Sequence, residues 1–147
     1  MGSLSYIYIT MLSKKTKYGL KALIHIVKNR ESEPIAISTI AKEEHISVKF
    51  LESIMLSLKK SGFLSSKKGK NGGYYLIKEP ADIRMVDIFR SLEGPVAMVP
   101  CVSLNFYETC DDCKTESECN IHKLMLKVRD NTLDILRGNT LEDLSAE

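Results

Sequence analysis

All four cysteines of the 147-residue chain fall between positions 101 and 119, in the stretch "CVSLNFYETCDDCKTESECNIHKL". Cys110, Cys113, Cys119 and His122 run as C-x2-C-x5-C-x2-H, an acceptable spacing for tetrahedral zinc, whose thiolate ligands the metal keeps deprotonated. Thiolates suit iron and bridging sulfide equally well, because these partners are soft and polarizable. Cys110 and Cys113 also have the separation of a dithiol switch. Structural disulfides fit less well, since nothing in the sequence points to an oxidising compartment and a cytoplasmic location is expected. His122 has a plainer reading too, as an ordinary residue at a helix start. Spacing by itself leaves zinc, a cluster and a thiol switch open.

These thiols sit between two differently charged parts of the chain. Net charge is only +2, yet six lysines and no acid lie between Lys59 and Lys78. From Glu108 to Glu118 there are five acids against one lysine. Such segregation suggests two surfaces with different partners, although charge runs are commonly just solvated loops.

The elements that must position these groups can be read from periodicity. Residues 13–29 predict a helix with Leu20, Leu23, Ile24 and Val27 on one face. After a break at "NRESEP", "ISTIAKEEH" predicts a short second helix capped by Ser38, with Ile40 and Ala41 inward. A turn at "HIS" leads to a third helix with Ser47 at its N-cap. Leu51, Ile54, Met55 and Leu58 form its apolar face, and Gly62 stops it. "FLSSKKGKNGGYYLIKEP" then predicts a hairpin. "MVDIFRSLEG" gives a fourth helix, and a long one runs from His122 to Gly138. On that last helix Ile121, Met125, Val128 and Ile135 share one side, while Leu126, Leu133 and Leu136 share another. Two apolar sides call for two neighbours, and a partner subunit is the simplest second one.

Two short helices around a tight turn, followed by a basic hairpin, make a winged helix-turn-helix. The fold class expected is therefore mainly α with a small β-hairpin wing and a long C-terminal dimerisation helix. Ser47, Lys49 and Ser53 lie where a recognition helix meets base edges. Glu52 beside them repels phosphate, and can accept from a cytosine amino group or exclude wrong sites. In the wing, Ser65, Ser66, Lys67, Lys68, Lys70 and Asn71 suit phosphate or minor-groove contact, and Gly69, Gly72 and Gly73 permit close backbone approach. Winged helices also serve as protein-interaction modules, but the lack of any acid along the wing favours double-stranded DNA.

Other classes find little support. No apolar run reaches the eighteen or so residues of a membrane span. No Ser/His/Asp arrangement, P-loop or dinucleotide fingerprint appears, so an enzyme is not expected; "GKNGGYY" lacks the Ser or Thr ending and lies in the hairpin. His25 and His45 stand alone and read as structural. Residues 1–10 read as an N-terminal extension, expected to be disordered, ahead of a natural-looking opening at Met11.

The stretches "LSKKTKYGLKAL", "ISVKFLESIMLSLKKSGFLSSKKGKNGGYYL" and "NTLEDL" resemble the Rrf-two (IscR/NsrR-like) family of bacterial winged-helix transcription factors, over residues 11 to about 144. The resemblance implies a homodimer crossing through its C-terminal helix and reading two half-sites of a near-palindrome. It divides the chain into a winged helix-turn-helix domain at 11–94, a cysteine-rich sensor loop at 95–121, a dimerisation helix at 122–138 and a tail at 139–147. It further implies an iron–sulfur cluster on Cys101, Cys113, Cys119 and His122, with the histidine favouring 2Fe–2S. Two departures stand out: Cys101 and Cys113 lie further apart than the family's usual gap, and Cys110 is an extra thiol that can replace Cys101 as first ligand. Lys17 stands where a 4Fe–4S branch of the family has an aspartate, which turns the expectation away from that cluster. The function expected is a regulator whose promoter affinity follows cluster occupancy or loop redox state. The alternatives are a zinc- or thiol-based DNA-binding regulator and an iron–sulfur carrier that borrowed the fold.

Overall fold

The computed structural model describes residues 12–146, so the extension expected at 1–10 lies outside the described residues. Helix α1 spans Lys14–Lys28, its start fixed by Ser13, whose hydroxyl accepts from the Thr16 amide. Its deepest residues are Ala22, Leu23 and Ile26, so the buried stripe is rotated from the predicted Leu20–Leu23–Ile24–Val27 face. Small residues explain the shift. A Cβ on Gly19 would stand 2.5 Å from Leu92 Cδ1 and 3.3 Å from Ile54, so glycine there lets neighbouring helices approach closely.

Helix α2 runs Ile37–Glu44, and Ile40 and Ala41 are buried as predicted. Its N-cap is Ala36 with no side-chain cap; Ser38 lies inside the first turn and does not cap. The reason is tertiary. Ile35 exchanges backbone hydrogen bonds with Tyr74, 2.9 and 2.8 Å, which keeps the chain extended up to Ala36. His45, with φ of 56°, closes α2 in the left-handed region and starts the turn.

Helix α3 covers Val48–Lys60 and is capped by Ser47, which accepts from the Phe50 amide. Leu51, Ile54, Met55 and Leu58 are all fully buried. At the far end Gly62 donates to Lys59 and Phe63 donates to Leu58, the paired bonds of a Schellman cap, with Gly62 at φ 82°. Strands β1 (Leu64–Lys67) and β2 (Gly73–Leu76) pair antiparallel in the register Leu64–Leu76, Ser65–Tyr75, Ser66–Tyr74 and Lys67–Gly73. Leu64 and Leu76 point into the core while the loop end of the hairpin projects into solvent.

Helix α4 (Met85–Leu92) ends at Gly94, φ 93°. After a segment containing 3-10 turns at Pro100–Val102 and Glu116–Glu118, the long helix α5 covers Asn120–Gly138, beginning two residues before the predicted start. The stretch read as a tail contains α6 (Leu141–Ser145), opened by a capping box between Thr140 and Asp143. Leu141 is fully buried, and its amide donates to Ile83 at 2.8 Å. The chain end is thereby sewn into the same core as α1, α3 and α4. Among the described residues no helix is long and apolar enough to cross a membrane.

Candidate nucleic-acid interface and thiol cluster

The turn at His45 presents the first residues of α3 to solvent while its opposite face is locked into the core. Ser47, Lys49, Glu52 and Ser53 are all exposed. Two of these hydroxyls have prior engagements: Ser47 caps the helix, and Ser53 Oγ donates to the Phe50 carbonyl at 2.8 Å. Lys49 and Glu52 carry the charges of this face. Phe50 packs edge-on against Tyr18 of α1, ring centroids 5.7 Å apart, which fixes the height of α3 over the domain.

In the wing Lys67, Lys68, Lys70 and Asn71 are exposed, and Ser65 and Ser66 are half-buried. Lys59 of α3 donates to Ser66 Oγ at 2.6 Å and so ties the recognition helix to the wing. In the sequence Lys59 is one member of a basic run; its bridging role exists only once the hairpin folds back. The wing glycines have intrachain reasons of their own. A Cβ on Gly73 would lie 2.3 Å from the Ile35 carbonyl carbon, and one on Gly72 would lie 2.2 Å from the Lys67 carbonyl oxygen. These two positions are required for strand packing and for the turn, whatever else approaches them.

The thiols gather where the loop meets α5. Cys119 is the N-cap of α5, its Sγ accepting from the His122 amide at 3.4 Å. The His122 ring turns back, with Nδ1 3.3 Å from Cys101 Sγ. Cys101 is buried; Cys110, Cys113 and Cys119 are half-buried, and all four are free thiols. Interaction with the Cys101 thiol first, then burial, then nearby negative charge push the ionisation of Cys110 up. Burial comes first for Cys113, with the charges of Cys119 and Cys110 adding in the same direction. Four thiols and an imidazole gathered in one segment are the donor set of a thiophilic metal or iron–sulfur cluster, so the residues fit such a group chemically. Among the described residues, no three His, Cys, Asp or Glu side chains are arranged to hold a metal ion. The Tyr107 phenol donates to Glu116, which raises its ionisation and ties two parts of the acidic segment together.

Helix α5 has the two-sided character expected from its sequence. Leu133 is buried and Leu136 packs against the core, on the side facing its own domain. On the other side Ile121 and Ile135 are 66% and 65% exposed, joined by Leu124, which belongs to neither predicted side. Beside this stripe lies a groove of about 560 Å³, lined by Leu12, Phe89, Val96, Met98, Val128 and Thr132 among others.

Comparison with known proteins places this arrangement. A family model described as "Rrf2: Iron-dependent Transcriptional regulator" matches residues 12–147. An rrf2-like HTH-type transcriptional regulator of Rhodobacter capsulatus is 38% identical over 139 residues, 92% of this chain and 93% of that protein. The solved structure of CymR (YrzC), the global cysteine regulator of B. subtilis, superposes with a TM-score of 0.75 at 32% identity, covering 92% of this chain and 95% of that one. T. potens IscR superposes with a TM-score of 0.67 at 28% identity, covering 92% and 88%. A winged helix, an acid-free wing and a family match along the described chain agree: this protein belongs to the Rrf2 family of DNA-binding transcriptional regulators, which are not enzymes.

Proposed function

We propose that the chain works as a cytoplasmic homodimer whose affinity for promoter DNA is set by the occupancy or redox state of its thiol cluster. The observation that carries this reading is where the cluster sits. Cys119 caps α5, and Val102, the residue after Cys101, is held to the same helix by Arg129 Nη1 at 2.8 Å. Any change at the sulfurs therefore bears on the position of α5. The iron dependence in the family description supports a metal-linked signal.

The dimer follows from the outer face of α5. Ile121, Leu124 and Ile135 form a stripe that continues into the adjoining groove, and a second copy of α5 supplies apolar surface of matching length. The proposed units are a DNA-reading domain at 11–94, a sensor loop at 95–121 and a dimerisation helix at 122–138. Two α3 helices then read two half-sites, with Ser47, Lys49, Glu52 and Ser53 toward the bases. The wing residues Ser65, Ser66, Lys67, Lys68, Lys70 and Asn71 lie toward the phosphates.

Cys101, Cys113, Cys119 and His122, with Cys110 as alternative first ligand, would hold a 2Fe–2S cluster, which when bound supplies a redox-active crosslink between loop and helix. The chain's own part is mechanical. Arg129 carries the position of the Cys101 turn to α5, and the angle of α5 sets the separation of the two α3 helices. A coupling of about 1.4–3 kcal/mol between loop state and helix spacing changes DNA affinity by one to two orders of magnitude.

The test is anaerobic purification with a visible spectrum and iron, sulfide and zinc analysis, paired with anisotropy titrations of promoter fragments. Equal iron and sulfide, with DNA affinity that changes on cluster loss, is the expected result. Colourless protein carrying one zinc per chain, with the same DNA affinity, would leave only the DNA-binding half standing. Cys113→Ala should lose the cofactor yet remain a folded dimer; full metal and full response in that variant would overturn the ligand assignment.

A further inference from the structure

We propose that Leu56 reads the 5-methyl group of a thymine in the major groove, once in each half-site, and so selects a T·A pair at that position. The inference rests on the reading of α3 as the recognition helix, and names a base feature that this helix recognises.

Helix geometry puts Leu56 in the middle of the outward face. Leu51, Ile54, Met55 and Leu58 are buried on one side of α3. At about 3.6 residues per turn, the stripe opposite them is Lys49, Ser53, Leu56 and Lys60, spaced i, i+4, i+7 and i+11, and all of these are exposed. A recognition helix lying in the major groove turns such a stripe toward the base edges. Leu56 is 49% exposed and belongs neither to the hydrophobic core nor to the side chains packed against it. The exposed apolar residues at the start of α3 stand apart from this stripe. Phe50 is engaged edge-on with Tyr18, and Val48 shares its side of the helix with buried Met55, seven residues on.

The hydroxyls beside Leu56 turn their hydrogens onto the helix itself. Ser53 Oγ donates to the Phe50 carbonyl at 2.8 Å, and Ser57 Oγ donates to the Ser53 carbonyl at 3.1 Å. Neither hydrogen is free for a base, so the surface around Leu56 is apolar. The charges stand around it: Glu52 to one side, and Lys49 and Lys60 at the two ends of the stripe, about 16 Å apart along the axis.

Double-stranded DNA offers an apolar side chain one kind of partner in its grooves. Leucine has no donor or acceptor, so it gains nothing from phosphate oxygens or from the polar edges of guanine, cytosine and adenine. The thymine methyl is the aliphatic feature of the major groove, and the minor groove shows none. Contact removes the methyl and the exposed Leu56 surface from water together. The lysines hold any sequence through its phosphates, whereas this contact depends on the base.

The experiment uses the full chain and a duplex that it selects from a random-sequence pool. Each thymine of that duplex is replaced in turn by deoxyuridine, which keeps the pairing edge and removes only the methyl, and affinity is read by fluorescence anisotropy. One thymine per half-site should be sensitive, its replacement weakening binding by about fourfold, the share of one buried methyl group. Leu56→Ala should bind the thymine and deoxyuridine duplexes alike. Its salt slope should be unchanged, because no phosphate contact is lost, and circular dichroism should show the same fold. No sensitive thymine, or one equally sensitive in Leu56→Ala, would overturn the role of Leu56 and leave the recognition-helix reading in place. A flattened salt slope in the variant would also overturn it, by tracing the loss to displaced lysines. A chain that selects no duplex would remove the recognition-helix reading and this one with it.

Discussion

Arg129 Nη1 donates to the carbonyl oxygen of Val102 at 2.8 Å, joining α5 to a residue 27 positions earlier in the chain. The same guanidinium grips Asp130 through Nε and Nη2, at 2.9 and 2.7 Å, which fixes its plane at the helix surface. Arg129→Leu keeps much of the side chain's bulk and removes the donor. The expected result is a folded protein with normal thiol chemistry whose DNA affinity responds at least fivefold less to oxidation or metal removal. Anisotropy titrations of oxidised, reduced and metal-free protein measure it, and an undiminished response would place the coupling elsewhere.

The wing lysines give a salt signature. Lys67, Lys68 and Lys70 are exposed on a hairpin whose register is fixed from Leu64–Leu76 outward. Replacing a lysine that engages one phosphate by alanine should lower the slope of log affinity against log salt by about one unit. Thermal stability should hardly change. A slope identical to that of the unaltered protein would remove that lysine from the interface.

Helix α5 yields a prediction about assembly. Ile135 is 65% exposed on the stripe that the proposed dimer buries. Ile135→Glu places a charge in that contact and should weaken dimerisation by about tenfold or more, roughly 1.4 kcal/mol. Sedimentation equilibrium reads the change, and circular dichroism should show an unaltered fold. A dimer of unchanged affinity would mean that another surface joins the subunits.

Leu141 tests whether the chain end belongs to the core. It is fully buried, with its amide on Ile83 and its helix against α1, so Leu141→Ala should cost about 2–5 kcal/mol in urea unfolding. A cost near zero would show that this end of the chain is a dispensable tail.

One surface pair gives a pH dependence with a definite sign. Arg30 grips Glu79 with both guanidinium nitrogens, 2.5 and 2.7 Å, and this hydrogen-bonded pair holds the Glu79 carboxyl below the usual carboxylate range. Its contribution is present above that range and fades as pH falls through the depressed value. Glu79→Gln should therefore be slightly less stable at neutral pH and converge with the unaltered protein in acid. High salt should shrink the difference, because the pair is exposed.

Much of the fold is readable in the sequence because it depends on neighbours along the chain. The i, i+3, i+4, i+7 pattern of Leu51, Ile54, Met55 and Leu58, the Ser47 cap and the Gly62 stop are local features, and each holds in the structure. Local signals mislead where distant chain acts on them. Ser38 has the chemistry of a cap, but pairing of Ile35 with Tyr74 keeps the chain extended to Ala36 and sets the start of α2 before it. The buried face of α1 centres on Ala22, Leu23 and Ile26, with Leu20 and Val27 at its edge, because Gly19 admits Leu92 and Ile54.

The thiol cluster divides in the same way. Sequence alone determined that four cysteines and His122 share one segment ahead of a long helix, and therefore which donors are available. Spacing draws attention to Cys110 and Cys113, since short separations are the only distances a sequence states. The folding of the loop back on itself was decided by the return of Glu108 to Pro100, and its link to α5 by Arg129 on Val102. Hydrogen bonds that close an irregular loop follow no period, so only the folded chain reveals where the loop closes and what it grips.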